Sequence, residues 1–232
     1  MAQSAAPNDL ILLWSGGKDA MLTLDVLHSQ SPRRVGALLT TIREDDETVT
    51  MHGTPLALIE QHAQSLGLPL HVMRIPPEAS NDTYEAALED ALKPLLDEGY
   101  STVAAGDLFL EDVKDYRESV LQAAGVTPLF PLWKRDPDWL ARHFLRRGYR
   151  AIVVSVDTLQ LDSSFAGRPY DESFLADLPD DVDPCGEHGA FHTVVVDGPP
   201  FQTPLDVTVD GVRGEGRMRY VRLRLEADPP SR

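Results

Sequence analysis

Two glycines, a lysine and a carboxylate stand side by side in Ser15-Gly16-Gly17-Lys18-Asp19, after an apolar run and before a stretch of helical periodicity. Adjacent glycines at such a junction let the backbone approach an anion. The helix start behind them offers unbonded amide protons and a partial positive charge, and Lys18 adds a full one. A plain tight turn between strand and helix uses glycine too, so spacing has to separate the readings. A Walker A loop requires glycine where Leu12 stands and a hydroxyl residue where Asp19 stands, and the dinucleotide fingerprint requires Gly-x-Gly. Neither fits.

Two further clusters carry chemistry. Gly106-Asp107 closes an apolar run, and the C-terminal ends of parallel strands line the ligand crevice, which makes Asp107 a candidate metal or substrate contact. The charged residues after it (Asp112, Lys114, Asp115, Glu118) read as a solvated helix face. Further on, Asp183-Pro184-Cys185-Gly186-Glu187-His188-Gly189-Ala190-Phe191-His192-Thr193 crowds Cys, Glu and His together. One Cys with His188 and His192 matches no zinc spacing, and a lone Cys is more often a small buried apolar group than a nucleophile. Glu187 and His192 are candidate general bases; no spacing argument chooses between them, and Glu187 is narrowly preferred.

These residues need a scaffold to hold them, and the chain is long enough to build one. Its 232 residues correspond to burial of roughly 70–75% of the unfolded surface. The formal charge of −16 repels a phosphate backbone, so no nucleic-acid partner is expected. A single cysteine forms no intrachain disulfide, and the first residues lack the basic and apolar parts of a signal peptide. No apolar run approaches the roughly 18 residues of a membrane span. The expectation is a cytoplasmic protein with no membrane partner.

Short β-branched runs alternate with longer amphipathic stretches, the pattern of βα units and a parallel sheet. Strands are expected over 10–14, 35–42, 70–75, 102–105, 127–130 and 151–156, and helices over 18–28, 55–66, 83–96, 113–124 and 137–146. Asp82 with Glu85 reads as a capping pair, and Pro94 should kink or end that helix near Lys93. Asp136-Pro137 opens the last helix and Gly148 closes it. From 169 to 212 there is no Lys or Arg. Residues 171–189 read as a long ordered loop with a short helix, and 192–196 and 218–225 as strands of an antiparallel cap. The apolar stretch 128–133 reads as core or as the interface of a homo-oligomer, and the ends as disordered.

The loop Ser15-Gly16-Gly17-Lys18-Asp19 closely resembles the pyrophosphate-binding Ser-Gly-Gly-x-Asp loop of the ATP pyrophosphatases. Together with Met51-His52-Gly53, Gly106 to Glu118, Pro131-Leu132-Trp133 and Asp183 to Thr193, in this order, it resembles the diphthine–ammonia ligase family, and most closely that family's short ATP-pyrophosphatase-type branch. The likeness runs from about residue 10 to 201. It implies an α/β fold: a Rossmann-like, HUP-type parallel sheet with helices on both faces over 10–148, followed by a smaller α+β substrate domain over 149–226. Residues 1–9 and 227–232 are left as disordered ends.

The resemblance also implies an activity. Family members activate a carboxylate with ATP, release pyrophosphate and let ammonia displace AMP to form an amide, so ATP, ammonia and a small-molecule or protein-borne carboxylate acceptor are the implied partners. Carried over, Ser15, Gly16, Gly17, Lys18 and Asp19 would hold the phosphates, with Gly106 and Asp107 flanking the nucleotide. Gly186, Glu187, Gly189 and His192 would lie at the acceptor side, with Lys18, Asp19, Glu187 and His192 catalytic. A carboxylate beside a triphosphate makes sense as a Mg²⁺ ligand, which points to Asp19, with Asp107 as a second. The chain departs from the family pattern at Ala20, where Ser or Thr is usual, and at Ala190, where a second Glu is usual. The rival readings are a non-catalytic nucleotide-sensing protein and a tRNA-modifying pyrophosphatase, the latter opposed by the acidic charge.

Overall fold

The structure, a computed structural model, describes residues 9–226. The ends expected to be disordered, 1–8 and 227–232, lie outside the described residues; Asp9 opens the first strand. Five βα units alternate as the periodicity demands: β1 (Asp9–Leu13), α1 (Lys18–Gln30), β2 (Arg34–Arg43), α2 (Leu56–Leu66), β3 (Leu70–Ile75), α3 (Asn81–Asp97), β4 (Thr102–Ala104), α4 (Glu111–Ala123), β5 (Thr127–Leu129) and α5 (Pro137–Arg146). The five strands form one parallel sheet in the order β3-β2-β1-β4-β5. Alternation along β1 divides the core. Leu10 and Leu12 pack with α1, α2 and α5 on one face, and Ile11 packs with α3 and α4 on the other.

The chain then leaves this sheet. β6 (Arg150–Asp157), a short 3₁₀ turn (Ser163–Phe165), α6 (Glu172–Asp177), β7 (Phe191–Asp197), β8 (Val207–Glu215) and β9 (Met218–Leu225) follow. The four strands make a separate antiparallel sheet ordered β7-β6-β9-β8. This corrects the expectation that the strand at 151–156 extends the parallel sheet. Its apolar run suits a strand buried on both faces in either setting, and its partners β7 and β9 lie far downstream. The expected antiparallel cap is present and larger than the two strands read for it. β8 escaped notice because most of its residues are exposed and Gly211 interrupts it at a register shift.

Two helix signals also differ. The cap of α3 is Ser80, whose hydroxyl accepts from the Thr83 amide at 3.2 Å, which leaves Asp82 inside the first turn. α3 runs through Pro94 to Asp97, because Pro94 lies on the exposed side where water can take the carbonyl it leaves unbonded. At α5 the Asp136 carboxylate accepts from the Trp139 amide at 2.7 Å, with Pro137 in the first turn, as expected.

Candidate active site

The strand order reverses between β1 and β4, and the connections leaving these two neighbours diverge to opposite faces; a crevice opens at such a switch point. The loop after β1 and the loop after β4 both stand there. Gly106 brings them together: a Cβ at this position would lie 3.1 Å from the Asp19 carbonyl carbon and oxygen, so glycine lets β4 end close against the first turn of α1 where a side chain would have to push the backbone back by a few tenths of an ångström. Gly16 has φ +75°, and a Cβ there would lie 2.7 Å from His62 and Ile59 side-chain atoms. The loop is therefore bent by its glycine and pressed onto α2.

The second sheet closes the other side. β7 is an edge strand, and it spends its free edge on the loop. The Val195 amide donates to the Gly16 carbonyl at 2.8 Å, and the Lys18 amide donates to the Thr193 hydroxyl at 3.1 Å. Gly17 caps α1 without a side-chain acceptor, which keeps a first-turn amide surface for an anion.

A cleft of about 670 Å³ opens at the C-terminal ends of β1 to β4, and Glu187, His192 and Tyr220 of the second unit close one side of it. Of the residues singled out in the sequence, Ser15, Asp19, Gly106, Asp107, Glu187 and His192 line it. Gly16, Gly17, Lys18, Gly186 and Gly189 do not; they shape the backbone behind it. The placement of Lys18 departs most from a phosphate contact. Its side chain is 2% exposed, and its ammonium donates to the Cys185 carbonyl and pairs with Asp19 at 2.9 Å. It lies 5.5 and 5.9 Å from the ring centroids of Phe191 and Tyr170. Burial works against its charge, but Asp19 and the neighbouring acidic groups more than offset this and keep Lys18 protonated. The same burial pushes the Asp19 carboxyl up, with Lys18 pulling the other way.

The turn at 183–189 is organised by Asp183, whose carboxylate accepts from the amides of Cys185 at 3.0 Å and Glu187 at 3.1 Å. Gly186 has φ +68°, and a Cβ there would lie 2.6 Å from the Phe191 carbonyl, so no side chain fits. The Glu187 carboxylate accepts from the Leu108 amide at 2.8 Å, which ties the turn to the loop after β4. Burial raises the Glu187 carboxyl; the Leu108 amide opposes this, and Asp19 and Asp107 reinforce it. Ala190 is buried in the core beside Phe191. Cys185 is buried, with its thiol pushed up by burial, so it packs rather than reacts.

Three cleft residues were not among the sequence candidates. Arg117 on α4 pairs with buried Asp107 at 2.8 Å; burial disfavours its charge, and Asp107, with Tyr84 and Glu187, more than restores it. His52, in the loop after β2, packs against His192 with ring centroids 4.6 Å apart at a 35° tilt. Trp14, just after β1, is buried there as well, and Nε1 of Trp14, Oδ1 of Asp19 and Nε2 of His192 are buried without a protein hydrogen bond. Buried polar atoms in a protein interior are nearly always paired, so a run of unpaired ones along a single cleft marks a site for a polar ligand. Among the described residues no group of three or more His, Cys, Asp or Glu side chains could hold a metal, and no helix is long and apolar enough to cross a membrane.

Comparison with known families agrees with this layout. Residues 9–128 match the model of the diphthamide synthase N-terminal domain, and residues 136–222 match that of the diphthamide synthase C-terminal domain. The chain belongs to the diphthamide synthase family. Among curated relatives it is 22% identical to a diphthine–ammonia ligase of Schizosaccharomyces pombe, over 91% of this chain and 38% of that protein. It is 25% identical to a diphthine–ammonia ligase of Mus musculus, over 92% of this chain and 91% of the relative. The chain thus spans well under half of the fission-yeast protein and nearly all of the mouse one. Among solved structures, the U34-tRNA thiolase NcsA of Methanococcus maripaludis aligns with 80% of this chain and 69% of its own, at 14% identity and a TM-score of 0.39.

Proposed function

We propose that this chain is an ATP-dependent ligase that adenylates a carboxylate-type acceptor, small or protein-borne, releases pyrophosphate, and lets ammonia displace AMP to form an amide. The reading rests on one observation: the loop after β1 and Asp107 meet Glu187 and His192, carried by the second unit, across a single cleft. A reaction between a nucleotide and a second substrate needs two facing sets of groups, and most of its catalysis is placement. In this reading the apolar side chains of Leu39 within β2 and Ile75 at the end of β3 take the adenine, while the loop and the start of α1 take the phosphates. Arg117, fixed by Asp107, stabilises charge as pyrophosphate departs.

The donor set fits Mg²⁺ at Asp19, whose buried Oδ1 has no protein partner; Mg²⁺ keeps several waters and takes few protein carboxylates. Asp107, the other proposed ligand, is committed to Arg117 and suits a supporting part. Bound there, the ion would supply Lewis-acid shielding of the phosphates. Glu187, with its raised carboxyl, is the favoured base for the amine; Lys18 braces the site from behind and does not touch the nucleotide.

Calorimetry with ATP and Mg²⁺, followed by AMP and pyrophosphate release with candidate acids and ammonium, tests the reading. Binding with AMP release supports it. Binding without AMP release for any acid favours the sensing alternative, for which the missing hydroxyl at Ala20 is the pointer. No adenine nucleotide bound at millimolar levels overturns both. A tRNA acceptor is disfavoured by the net charge of −16.

A further inference from the structure

The two histidines of the cleft come from different units of the fold, His52 from the loop after β2 and His192 from β7. Their rings lie 4.6 Å apart at a 35° tilt. Nδ1 of His52 lies 3.2 Å from the Thr193 carbonyl. A carbonyl can only accept, so Nδ1 carries the proton and Nε2 of His52 carries the lone pair. Nε2 of His192 is buried with no protein partner. Both rings line the cleft, and a Cβ on Gly17 would lie 2.9 Å from the His52 ring, so the pair stands against the phosphate loop. Neither ring is paired with a carboxylate among the described residues, and the nearby charge bearing on both is the Lys18 ammonium.

We infer that the His52–His192 pair is the binding site of the nitrogen nucleophile and that it takes uncharged ammonia rather than ammonium ion. An uncharged N–H donor matches a ring lone pair, and a cation there meets Lys18. The inference rests on the ligase reading and names the residues that receive its second substrate. Ammonia held by an N–H to His52 Nε2 keeps its own lone pair free. That pair forms the new C–N bond, the bond from the acyl carbon to the AMP oxygen breaks with its electrons leaving on AMP, and the N–H proton then released passes to the Glu187 carboxylate, while His52 Nε2 orients the nucleophile as a hydrogen-bond acceptor. Burial holds both imidazoles neutral, with the His52 ring brought down to about 4, so the acceptor is in its unprotonated form at neutral pH.

The test uses the full chain labelled with ¹⁵N-histidine. The probe is hydroxylamine, which is uncharged at neutral pH, and tetramethylammonium chloride serves as the cation without an N–H. Saturable shifts of the His52 and His192 ring nitrogens with hydroxylamine, and none with tetramethylammonium, are expected. His192→Phe, which keeps the ring contact and removes the nitrogen, should weaken hydroxylamine binding about tenfold, the worth of one hydrogen bond, and leave ATP affinity intact. His52→Gln, with its amide oxygen as acceptor, should retain part of the response and covers the case of a His192→Phe chain that fails to fold. Equal shifts with tetramethylammonium, or no hydroxylamine response in a chain that binds ATP, overturn the inference while the ligase reading stands. Loss of ATP binding in the unaltered chain strikes the ligase reading instead.

Discussion

The ammonium of Lys18 donates to the backbone carbonyl of Cys185, 167 positions away in the chain. This bond joins the phosphate-type loop of the first sheet to the turn that presents Glu187. The same ammonium pairs with Asp19, whose other oxygen belongs to the cleft. Lys18 therefore connects the two halves of the site without entering it.

Replacing Lys18 by Met should destabilise the protein by about 3 kcal/mol, the low end for breaking a buried pair, because Asp19 is partly open to the cleft and can be rehydrated. Urea unfolding at neutral pH reads this. The double variant Lys18→Met with Asp19→Asn should cost less than the two single changes added together, since the pair is coupled. Strict additivity would show that the pair does not act as a unit.

Gly16→Ala tests the bend of the loop. The residue has φ +75°, and the new methyl would lie 2.7 Å from His62 and Ile59 atoms. Left-handed strain and overpacking together should cost on the order of 2–4 kcal/mol. The urea midpoint should fall with the slope unchanged. Gly189→Ala, where no atom lies within 4 Å, should cost only the strain of its φ of +80°. Equal losses at the two positions would refute the packing argument.

How far the sequence foretold this site depends on whether the signal was local. The loop after β1 was legible because Gly-Gly-Lys-Asp sits at a junction that periodicity alone identifies, and the α5 cap because Asp136-Pro137 is a local signal. What Lys18 touches was not legible. Adjacent residues cannot say whether a long side chain turns toward the cleft or beneath a turn more than a hundred residues downstream. For His52 the segment Met51-His52-Gly53 carries part of the family resemblance, but the ring it packs against comes from β7, which no local signal shows. Arg117 sits on a helix face that reads as solvated, and only Asp107 at 2.8 Å reveals its role. For β6, the run Ala-Ile-Val-Val is equally at home in a parallel core or an antiparallel one, and pairing with β7 and β9 decides.

Cys185 should be inert in the folded protein. It is buried, its thiol is pushed up by burial, and it lies 3.5 Å from the Pro137 carbonyl. Iodoacetamide at mildly alkaline pH should label it only as fast as the structure opens, and completely in denaturing urea. Rapid labelling of the native chain, followed by mass spectrometry, would mean that the turn at 183–189 is open in solution.

His62 gives stability a pH dependence whose sign is fixed. The ring is fully buried; burial brings it down to about 4, and the bond from Nε2 to the Val195 carbonyl at 2.6 Å offsets only part of that. In the unfolded chain it titrates near 6.5. Between these values the unfolded state binds the extra proton, so stability rises with pH across the window. It is fully present above about 6.5 and lost as pH falls toward about 4. The difference of roughly 2.5 pH units corresponds to about 3 kcal/mol. His62→Gln keeps a donor for the Val195 carbonyl and removes the titration, so its stability should fall less steeply between pH 6.5 and 4. Urea unfolding at several pH values for both proteins isolates this contribution, because the carboxylates of the site are common to them. Parallel profiles would mean that His62 is protonated in the folded chain, and that its contact with the second sheet is made differently.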